Sequence, residues 1–524
     1  MQRNTSTTRS RFVPAVTAGV LATCLGAVAG APAAHADGGV GISSDFNGDG
    51  YEDLAIGSPY QAVRGKADAG TVTVSYGGFG GVSAGGTQLW HGDSPQLDGS
   101  ASDHEFFGTA LAAADFDGDG YADLAVGVPG NGSGATGAGS VVVLKGGPGG
   151  LTATGSREYR QGAGVPGTAG TSEDFGWALA AGDFDRDGRA DLAVGAPGDT
   201  SGGIRGGSVS VLRGVDEWNG NSTVLEPDSV WTDGQVGQGF PANGSQFGRA
   251  VATGDVTGNG FDDLVAGSPG TQRITLLHGG EDGITSVNGR TVTPTDLPGG
   301  APRPSFGVTL AVGRFVGSHH EDVAIGAPQA SVVSEPGAGV VTVLRGDAWG
   351  VDTTRPQVLV EGAVPGGDMR ARDGFGSALV AGSFGHGGEE DLVIGSEGQD
   401  VDLGRDAGAA YVFYGGAESF YEADRTVLSS TADGYRNAGN TNDWFGTSLG
   451  RADLNGDGRD EVLVGAPGDR VGGLQAAGSV EVFAGQDGAV SNSHARTTWH
   501  QGLFPNVANA LNSPSVHYGR GLSR

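Results

Sequence analysis

Short apolar runs alternate with acidic and glycine-rich segments along the chain, and the same order of segments returns at a nearly constant interval. One copy reads DFDGDGYADLAVGVP over residues 115–129, with carboxylates at positions 1, 3, 5 and 9 of a loop. A Phe-Gly pair, Phe107-Gly108, stands shortly before this loop, and a G-x-V-x-V alternation follows it from Gly139. Period-two alternation bounded by glycine is typical of half-buried strands. With no convincing helical period elsewhere, the pattern predicts about four strands in each repeat.

The repeat occurs seven times. Acidic loops begin at Asp45, Asp115, Asp183, Asp255 and Asp453, and degenerate copies that keep only their apolar ends begin at Arg314 and Ser383. The interval between successive starts is roughly 70 residues, which suits a four-stranded propeller blade with long loops.

The Phe-Gly pairs are out of step with the loops. Six of them, beginning with Phe107 and ending with Phe445, precede a loop at the same short spacing, but the first loop at Asp45 has none before it. A related pair, Tyr518-Gly519, comes last and has no loop after it. The simplest account is a closed ring whose C-terminal strand completes the first unit, since closure removes unpaired strand edges. We therefore expect an all-β chain, with residues 37–524 forming a single seven-bladed β-propeller.

These motifs resemble the FG-GAP repeat of the integrin alpha-chain N-terminal propeller, which is also found in glycosylphosphatidylinositol-specific phospholipase D. The resemblance covers nearly all of the chain after residue 36. It implies the same propeller fold, calcium in the acidic loops, and a ligand-binding face opposite those loops. It is less specific for function, because one fold hosts many activities.

The first 36 residues differ from the repeats. Arg3, Arg9 and Arg11 precede an apolar run, and Ala34-His35-Ala36 offers a cleavage site, as in a secretory signal peptide. A lipoprotein signal at Cys24 is the alternative, although Thr is unusual just before the cysteine and the apolar run continues past it. We expect a secreted, extracellular protein without disulfides, because Cys24 is the only cysteine. No second apolar run reaches the ~18 residues that a membrane span needs.

The charge narrows the class of partner. The net charge of −30 becomes −33 once the three arginines before residue 36 are removed. Such an acidic chain repels a phosphate backbone, so we expect no nucleic-acid partner. Part of this charge belongs to the acidic loops themselves.

The loops offer the oxygen ligands that a hard cation such as Ca²⁺ prefers, from side chains at positions 1, 3, 5 and 9 and a backbone carbonyl at position 7. The alternative is a metal-free Asx turn, but three clustered carboxylates repel one another without a cation. The fourth loop carries only two charges, so we expect four to five structural calcium ions. The predicted ligands are Asp45, Asn47, Asp49, Tyr51 and Asp53; Asp115, Asp117, Asp119, Tyr121 and Asp123; Asp183, Asp185, Asp187, Arg189 and Asp191; Asp255, Thr257, Asn259, Phe261 and Asp263; and Asp453, Asn455, Asp457, Arg459 and Glu461.

The fifth and sixth loops depart from this pattern, since Val316 and Gly385 cannot supply a side-chain ligand. In the fifth loop we predict that Arg314 replaces the ion and pairs with Asp322.

A four-stranded meander places its long loops on the face opposite the acidic loops, and function tends to sit on such loops. We expect an unknown protein or glycan to bind there, with Trp218, Tyr435, Trp444, His104 and Arg372 as candidate contacts. The alternative for these residues is packing between blades.

Two functions remain open. The first is a monomeric, non-enzymatic adhesion or recognition module. The second is an extracellular hydrolase or lyase with its site in the central depression. Histidines converging with carboxylates on the long-loop face would favour the enzyme, whereas an aromatic-lined, acid-poor groove would favour binding.

Overall fold

A computed structural model describes residues 44–499 apart from 83–85, 98, 202, 217–223, 236–241, 318, 364–368, 386, 402–404, 421–424, 431–441, 470–477, 487 and 491–495. Within these residues the chain forms seven small sheets, one for each repeat, and a two-stranded hairpin. The first strands of the second to seventh sheets contact one another in succession, which places them around a common axis. The all-β, seven-bladed propeller expected from the repeats is confirmed.

The strands follow chain order. Blade 1 contains β1 (Leu54–Ser58), β2 (Thr71–Ser75) and β3 (Gln88–Trp90), and blade 2 contains β4 (Leu111–Ala114), β5 (Asp123–Val128), β6 (Ser140–Lys145), β7 (Thr152–Gln161) and β8 (Gly164–Val165). Blade 3 contains β9 (Ala178–Gly182), β10 (Asp191–Ala196), β13 (Ser208–Gly214) and β14 (Leu225–Thr232), with the hairpin β11 (Thr200–Ser201) and β12 (Ile204–Arg205) beside it. Blade 4 contains β15 (Val251–Gly254), β16 (Asp263–Ser268), β17 (Arg273–His278) and β18 (Thr285–Val292), and blade 5 contains β19 (Thr309–Gly313), β20 (Asp322–Ala327), β21 (Val340–Asp347) and β22 (Gly350–Leu359). Blade 6 contains β23 (Phe375–Gly382), β24 (Asp391–Ser396), β25 (Ala409–Phe413) and β26 (Thr426–Leu428), and blade 7 contains β27 (Ser448–Ala452), β28 (Glu461–Ala466), β29 (Ser479–Phe483) and β30 (Arg496–Trp499).

Helix is limited to short 3₁₀ turns in the described part of the chain. They lie at Pro269–Thr271, Pro294–Asp296 and Glu361–Ala363. Neighbouring main strands within each blade pair antiparallel, as in β4-β5-β6-β7. In blades 2 to 7 each acidic loop therefore joins the first and second strands. In blade 1 the loop precedes β1, so β1 and β2 correspond to the second and third strands of the other blades.

The predicted closing strand at Tyr518 and the predicted signal peptide at 1–36 lie outside the described residues. Blade 1 has three strands within those residues, whereas blades 3 to 7 have four. The ring nevertheless closes by direct contact, because Leu54 and Ile56 of blade 1 share a buried cluster with Leu463 and Val480 of blade 7.

The core lies between blades. Seven buried clusters each join two neighbouring blades, from blades 1 and 2 around to blades 7 and 1. The apolar residue at position 2 of each acidic loop enters these interfaces, and Phe46, Phe116 and Phe184 are fully buried. The ring is therefore held by burial at every blade boundary.

The two glycines that frame the repeat meet across the blade boundary. A Cβ built on Gly127, which follows the apolar run of blade 2, would lie 2.0 Å from the carbonyl oxygen of Gly176 in the Phe-Gly pair of blade 3. Gly176 itself has a φ of 88°, a conformation that favours glycine. The equivalent contacts join Gly195 to Gly248, Gly267 to Gly307, and Gly395 to Gly446. Glycine recurs at these positions because the backbones leave no room for a side chain.

Candidate metal loops and the opposite face

The acidic loops, numbered 1 to 7 by blade, comprise residues 45–53, 115–123, 183–191, 255–263, 314–322, 383–391 and 453–461. Their turn is organised by the acid at position 1. In loop 1, Asp45 Oδ1 accepts from the Gly48 N–H at 2.7 Å and Oδ2 accepts from the Gly50 N–H at 2.9 Å. Asp115 in loop 2 and Asp453 in loop 7 repeat both bonds. These backbone donors hold the carboxylate in place before any cation arrives.

The acid at position 9 ties the loop to the third strand of its blade. Asp53 Oδ2 accepts from the Phe46 N–H at 2.8 Å, and its Oδ1 accepts from the Gly77 N–H at 2.8 Å. We call this pair of backbone hydrogen bonds, one from the loop and one from beyond the third strand, the clamp. The clamp also occurs in the degenerate loop 6, where Asp391 accepts from the N–H groups of Phe384 and Gly415. Sequence reasoning treated position 9 only as a metal ligand, and the structure adds a structural role that needs no ion.

These position-9 acids are deeply buried, and burial raises their pKa. It raises the pKa of Asp53 to about 7 and those of Asp123 and Asp191 to about 8, partly offset by the backbone N–H donors. Neighbouring loop carboxylates raise these pKa values further. A bound cation would stabilise the ionised forms and so reverse the effect.

Two loops bring three acids together tightly enough to chelate. In loop 2 one oxygen each from Asp115, Asp117 and Asp123 lies within 4.8 Å of the others, and in loop 3 the same holds for Asp183, Asp185 and Asp187. A donor set made only of carboxylate oxygens suits a hard cation. The residues of these loops therefore fit calcium.

Loops 1, 4 and 7 combine acids with neutral oxygen donors. Asn47 Oδ1 accepts from the Asp49 N–H at 2.8 Å, whereas the Asn455 amide donates to Glu461 Oε1 at 2.7 Å. At position 7 the N–H of Tyr51, like that of Phe261 in loop 4, donates back to the residue at position 5. The structure thus places all five ligand positions of each loop around one turn, and their roles as ligands stay predictions.

Loop 5 contains the predicted Arg314–Asp322 pair. Asp322 accepts from the Val316 N–H at 2.7 Å and the Gly346 N–H at 3.1 Å, and burial raises its pKa to about 7. The charge of Arg314 lowers the pKa of Glu390, which burial otherwise raises. The Arg314–Asp322 pairing stays a prediction, while the described contacts place a second carboxylate beside Arg314.

The loops of neighbouring blades are hydrogen-bonded to one another. In every blade the N–H at position 8 donates to the carbonyl at position 1 of the loop in the adjacent blade, at 2.8 to 3.2 Å. The seven donor–acceptor pairs are Glu52–Asp453, Ala122–Asp45, Ala190–Asp115, Asp262–Asp183, Glu321–Asp255, Glu390–Arg314 and Asp460–Ser383. A loop that is ordered by a cation therefore positions the loop beside it.

The opposite face carries a cavity of about 400 Å³ between blades 1 and 2. Two long loops enclose it, one before Glu105 and the other at residues 131–133, and Glu158 of β7 completes its wall. Glu105 Oε1 accepts from Ser102 Oγ at 2.8 Å, and Asn131 Nδ2 donates to Glu158 Oε1 at 2.7 Å. Burial raises the pKa of Glu105, Ser102 partly offsets this, and the charge of Glu158 raises it further. The cavity thus pairs two carboxyl groups in different environments.

The candidate contact residues fall in or near blade boundaries. His104 Nδ1 lies 2.8 Å from Asp68 Oδ2, and the Trp444 N–H donates to the Asp406 carbonyl in the preceding blade. The Arg372 N–H likewise donates to the Pro336 carbonyl. Trp218 and Tyr435 lie outside the described residues. For the three described residues, packing between blades accounts for the backbone contacts, and ligand contact stays a prediction.

With this geometry in place, the repeats can be compared with known families. Residues 38–75, 107–144, 175–212, 247–287 and 445–483 match the FG-GAP repeat. The chain carries FG-GAP repeats. The five FG-GAP matches fall in blades 1, 2, 3, 4 and 7, which are the blades predicted to hold ions. Blades 5 and 6 keep the propeller fold although their loops have lost the acidic pattern.

Curated relatives of this chain include integrin alpha chains and phosphatidylinositol-glycan-specific phospholipases D. It is 30% identical over 236 residues to integrin alpha-PS2 of Drosophila melanogaster, which covers 44% of this chain and 16% of that protein. It is 27% identical over 410 residues to phosphatidylinositol-glycan-specific phospholipase D of Mus musculus, which covers 72% of this chain and 46% of that protein. The chain spans less than half of the length of either relative.

Solved structures with a related arrangement include the exotype rhamnogalacturonan lyase YesX. The two chains share 15% identity with a TM-score of 0.41, over 84% of this chain and 70% of that chain. A likeness at this level says nothing about activity. Among the residues that the structure describes, no helix is long and apolar enough to cross a membrane.

Proposed function

We propose that the FG-GAP ring is a secreted, calcium-stabilised recognition module that binds a glycan or protein on its long-loop face. The observation that carries the proposal is the division between the two faces. One face holds acidic loops that are hydrogen-bonded into a continuous ring. The other holds a preformed cavity between long loops, the usual form of a ligand site on a rigid scaffold.

The calcium part of the proposal rests on the loops. Four of them combine the full set of side-chain oxygens with a position-7 carbonyl, and loop 4 has a reduced set. The ions would be structural, because each completes a loop and through it supports the neighbouring blade. The bound ions would take the place of the disulfide cross-links that a chain with one cysteine cannot form within itself.

The recognition part rests on the cavity. Its described lining combines carboxyl groups, serine hydroxyls and an amide with apolar contacts from Leu97 and Val128. Such acceptors suit a ligand that presents hydroxyl or other donor groups, as glycans do.

One observation favours the enzyme alternative. Glu105 is buried and Glu158 lies close enough to raise its pKa. Two carboxyl groups that face one cavity are the groups that acid–base hydrolysis of a glycosidic bond uses. His91 is adjacent in sequence to the cavity residue Gly92, although its Nδ1 accepts from the Asp93 N–H at 3.1 Å.

Binding and turnover are separated by one pair of variants. The mature protein is screened against immobilised glycans and extracellular matrix proteins in calcium buffer, and hits are retested with Glu105→Gln and Asn131→Ala. If the protein is a recognition module, the wild type should bind the ligand saturably, both variants should bind it more weakly, and the ligand should not be cleaved. Glu226→Gln, on the exposed part of β14, is the matched control and should leave binding unchanged.

The enzyme alternative predicts a different outcome. Bound glycan would be shortened over time by the wild type and left intact by Glu105→Gln, which should still bind it. Absence of both binding and turnover across the screen would remove the cavity from consideration as a functional site.

A further inference from the structure

Each acidic loop has a neighbour at the end of the third strand of its blade. Strand register defines this strand-end residue. The residue just after loop position 9 pairs with a residue of the third strand, and the strand-end residue is the next one in the chain. In blade 2, Leu124 pairs with Leu144, so Lys145 is the strand-end residue. From blade 1 to blade 7 the strand-end residues are Tyr76, Lys145, Arg213, His278, Arg345, Tyr414 and Ala484. Their charge differs between blades that have otherwise similar loops.

In blades 2 and 3 the strand-end residue is basic and contacts the acid at loop position 3. Lys145 Nζ lies 2.5 Å from Asp117 Oδ2 and 3.7 Å from Asp119 Oδ2. Arg213 Nε lies 3.2 Å from Asp185 Oδ2. The first pair is almost completely buried, because the Asp117 side chain is 0% exposed and that of Lys145 is 10% exposed. A tethered cation therefore already occupies one side of these acid clusters.

In blades 1 and 7 both members of the pair are neutral. Asn47 and Asn455 replace the acid at position 3, and Tyr76 and Ala484 replace the base at the strand end. Tyr76 turns away from the loop, since its hydroxyl contacts Gln88 and the Leu151 N–H. An acid at position 3 thus occurs with a base, and an amide occurs without one.

Position 7 does not explain this pattern. Loops 1 and 2 both have tyrosine there, and loops 3 and 7 both have arginine. Within each of these two matched pairs, one loop has the Asp–base combination and the other has Asn with a neutral strand end. Over ligand positions 1, 3, 5 and 9, position 7 and the strand end, the net charge is −3 in loops 1 and 2 and −2 in loops 3 and 7. Glu52, Arg186 and Asp460, at positions 8, 4 and 8 of loops 1, 3 and 7, lie outside this count.

The remaining loops have no carboxylate at position 3. In blade 4, position 3 is Thr257 and the strand-end residue is His278. In blade 5, position 3 is Val316, and the Arg345 guanidinium contacts the Glu418 carbonyl of the next blade, as Arg213 contacts the Asp282 carbonyl. Arg345 differs from Arg213 in having no carboxylate at position 3 to contact.

We propose that Lys145 and Arg213 are built-in counter-cations that set the calcium affinity of loops 2 and 3 to that of loops 1 and 7. This rests on the proposed calcium binding of the loops. Calcium affinity follows the charge of its ligands, and a fixed positive charge ~6 Å from a divalent ion weakens binding about tenfold even in a water-like dielectric. The same cations keep the clustered carboxylates together in the metal-free protein.

The test uses terbium in place of calcium, because a tyrosine at position 7 sensitises its emission. The Tyr121 ring also lies against Gly48 of loop 1, and the Tyr51 ring lies against Gly456 of loop 7. The parent for the titration therefore carries Asp45→Ala, which disables loop 1, and Tyr51→Leu, which silences loop 7. Tyr121 then reports loop 2, and calcium is titrated as a competitor. Lys145→Met should tighten calcium binding at loop 2 about tenfold, since it removes one positive charge beside the ion. Asp117→Asn should weaken it, and the double variant, which recreates the chemistry of loop 1, should return to within about threefold of the parent.

Two further variants keep the test decisive. Arg213→Met, at a more exposed position, should tighten loop 3 in calorimetric titrations if Lys145→Met does not fold without calcium. Arg345→Met is the matched control, because it removes a basic strand end beside a loop that lacks the acids at positions 1, 3 and 5, and it should change neither affinity. Unchanged or weaker binding in folded Lys145→Met or Arg213→Met overturns the counter-cation. If the parent protein binds neither terbium nor calcium, the proposed calcium binding of the loops is itself wrong.

Discussion

Glu52 and Asp453 are 401 residues apart and exchange two hydrogen bonds. The Glu52 N–H donates to the Asp453 carbonyl at 3.2 Å, and Glu52 Oε2 accepts from the Asp453 N–H at 2.8 Å. Asp453 opens loop 7 and Glu52 lies at position 8 of loop 1. Blade 7 is therefore joined to blade 1 through the same kind of contact that joins the other blades.

Loss of the Glu52 side chain should loosen this boundary. Glu52→Ala leaves the Asp453 N–H without its carboxylate acceptor, and an unsatisfied buried donor costs about 1 to 3 kcal/mol. Hydrogen exchange should accelerate in β1 and β28 and remain unchanged in β10 and β16. Asp262→Ala is the matched variant, since Asp262 accepts from the Asp183 N–H at 2.9 Å, and it should accelerate exchange in β10 and β16 instead. Uniform acceleration in both variants would contradict a local role.

Calcium should raise the thermal midpoint, and single loops should contribute separately. One site at a calcium concentration ten times its Kd adds about 1.4 kcal/mol. Asp183→Ala removes the acid at position 1 of loop 3 and should reduce the calcium-dependent rise by about one site. Ser383→Ala, at the same position of loop 6, should leave the rise unchanged. A midpoint that does not respond to calcium or to a chelator would mean that the loops are metal-free turns.

Loop 6 separates the structural role of position 9 from metal binding. Asp391 accepts from the N–H groups of Phe384, Gly385 and Gly415 at 2.9 to 3.0 Å, in a loop with glycine at position 3. Asp391→Ala leaves these buried donors unpaired and should destabilise the protein by about 3 kcal/mol or more. Chemical denaturation should show the same loss with calcium and with chelator. A loss that appears only in calcium would assign an ion to loop 6.

The interior carboxyl group of Glu390 should make stability depend on pH. Burial raises its pKa to about 7, while the charges of Arg451 and Arg314 oppose the rise. The unfolded chain releases this proton near pH 4.5, so the folded state is favoured below that pH and loses stability as pH rises towards 7. The loss amounts to about 3 kcal/mol for a shift of this size. Glu390→Gln, which keeps an acceptor for the Arg314 N–H, should flatten that part of the stability profile in saturating calcium, and an unchanged slope would refute the assignment.

The fold was predictable because its determinants repeat. The Phe-Gly pair, the acidic loop and the alternating third strand recur with nearly constant spacing, and Phe107 and Gly127 occupy the inter-blade positions that such a repeat requires. Blades 5 and 6 could also be placed, since Asp322 and Asp391 keep the clamp although the other ligands are gone.

The site was predictable only within each loop. Contacts between a loop and another strand, such as Lys145 with Asp117, depend on register and side-chain direction, and local spacing does not contain them. The cavity beside Glu105 was invisible for the same reason, because Glu158 reaches it from β7, far along the chain. A comparison of the strand-end residues across the seven repeats would have revealed the first of these, but no such signal exists for the second.

The glycine contacts across blade boundaries define which segment of the chain can be copied intact. Gly127 of one repeat and Gly176 of the next form a single interface, so a segment cut just before a Phe-Gly pair carries two unmatched halves. A segment that runs from an acidic loop through the following Phe-Gly strand, such as residues 115–182, carries both halves of one interface together. Tandem duplication in that phase keeps every Gly127–Gly176 contact native, whereas duplication that starts at a Phe-Gly pair creates one non-native glycine contact, between the two copies.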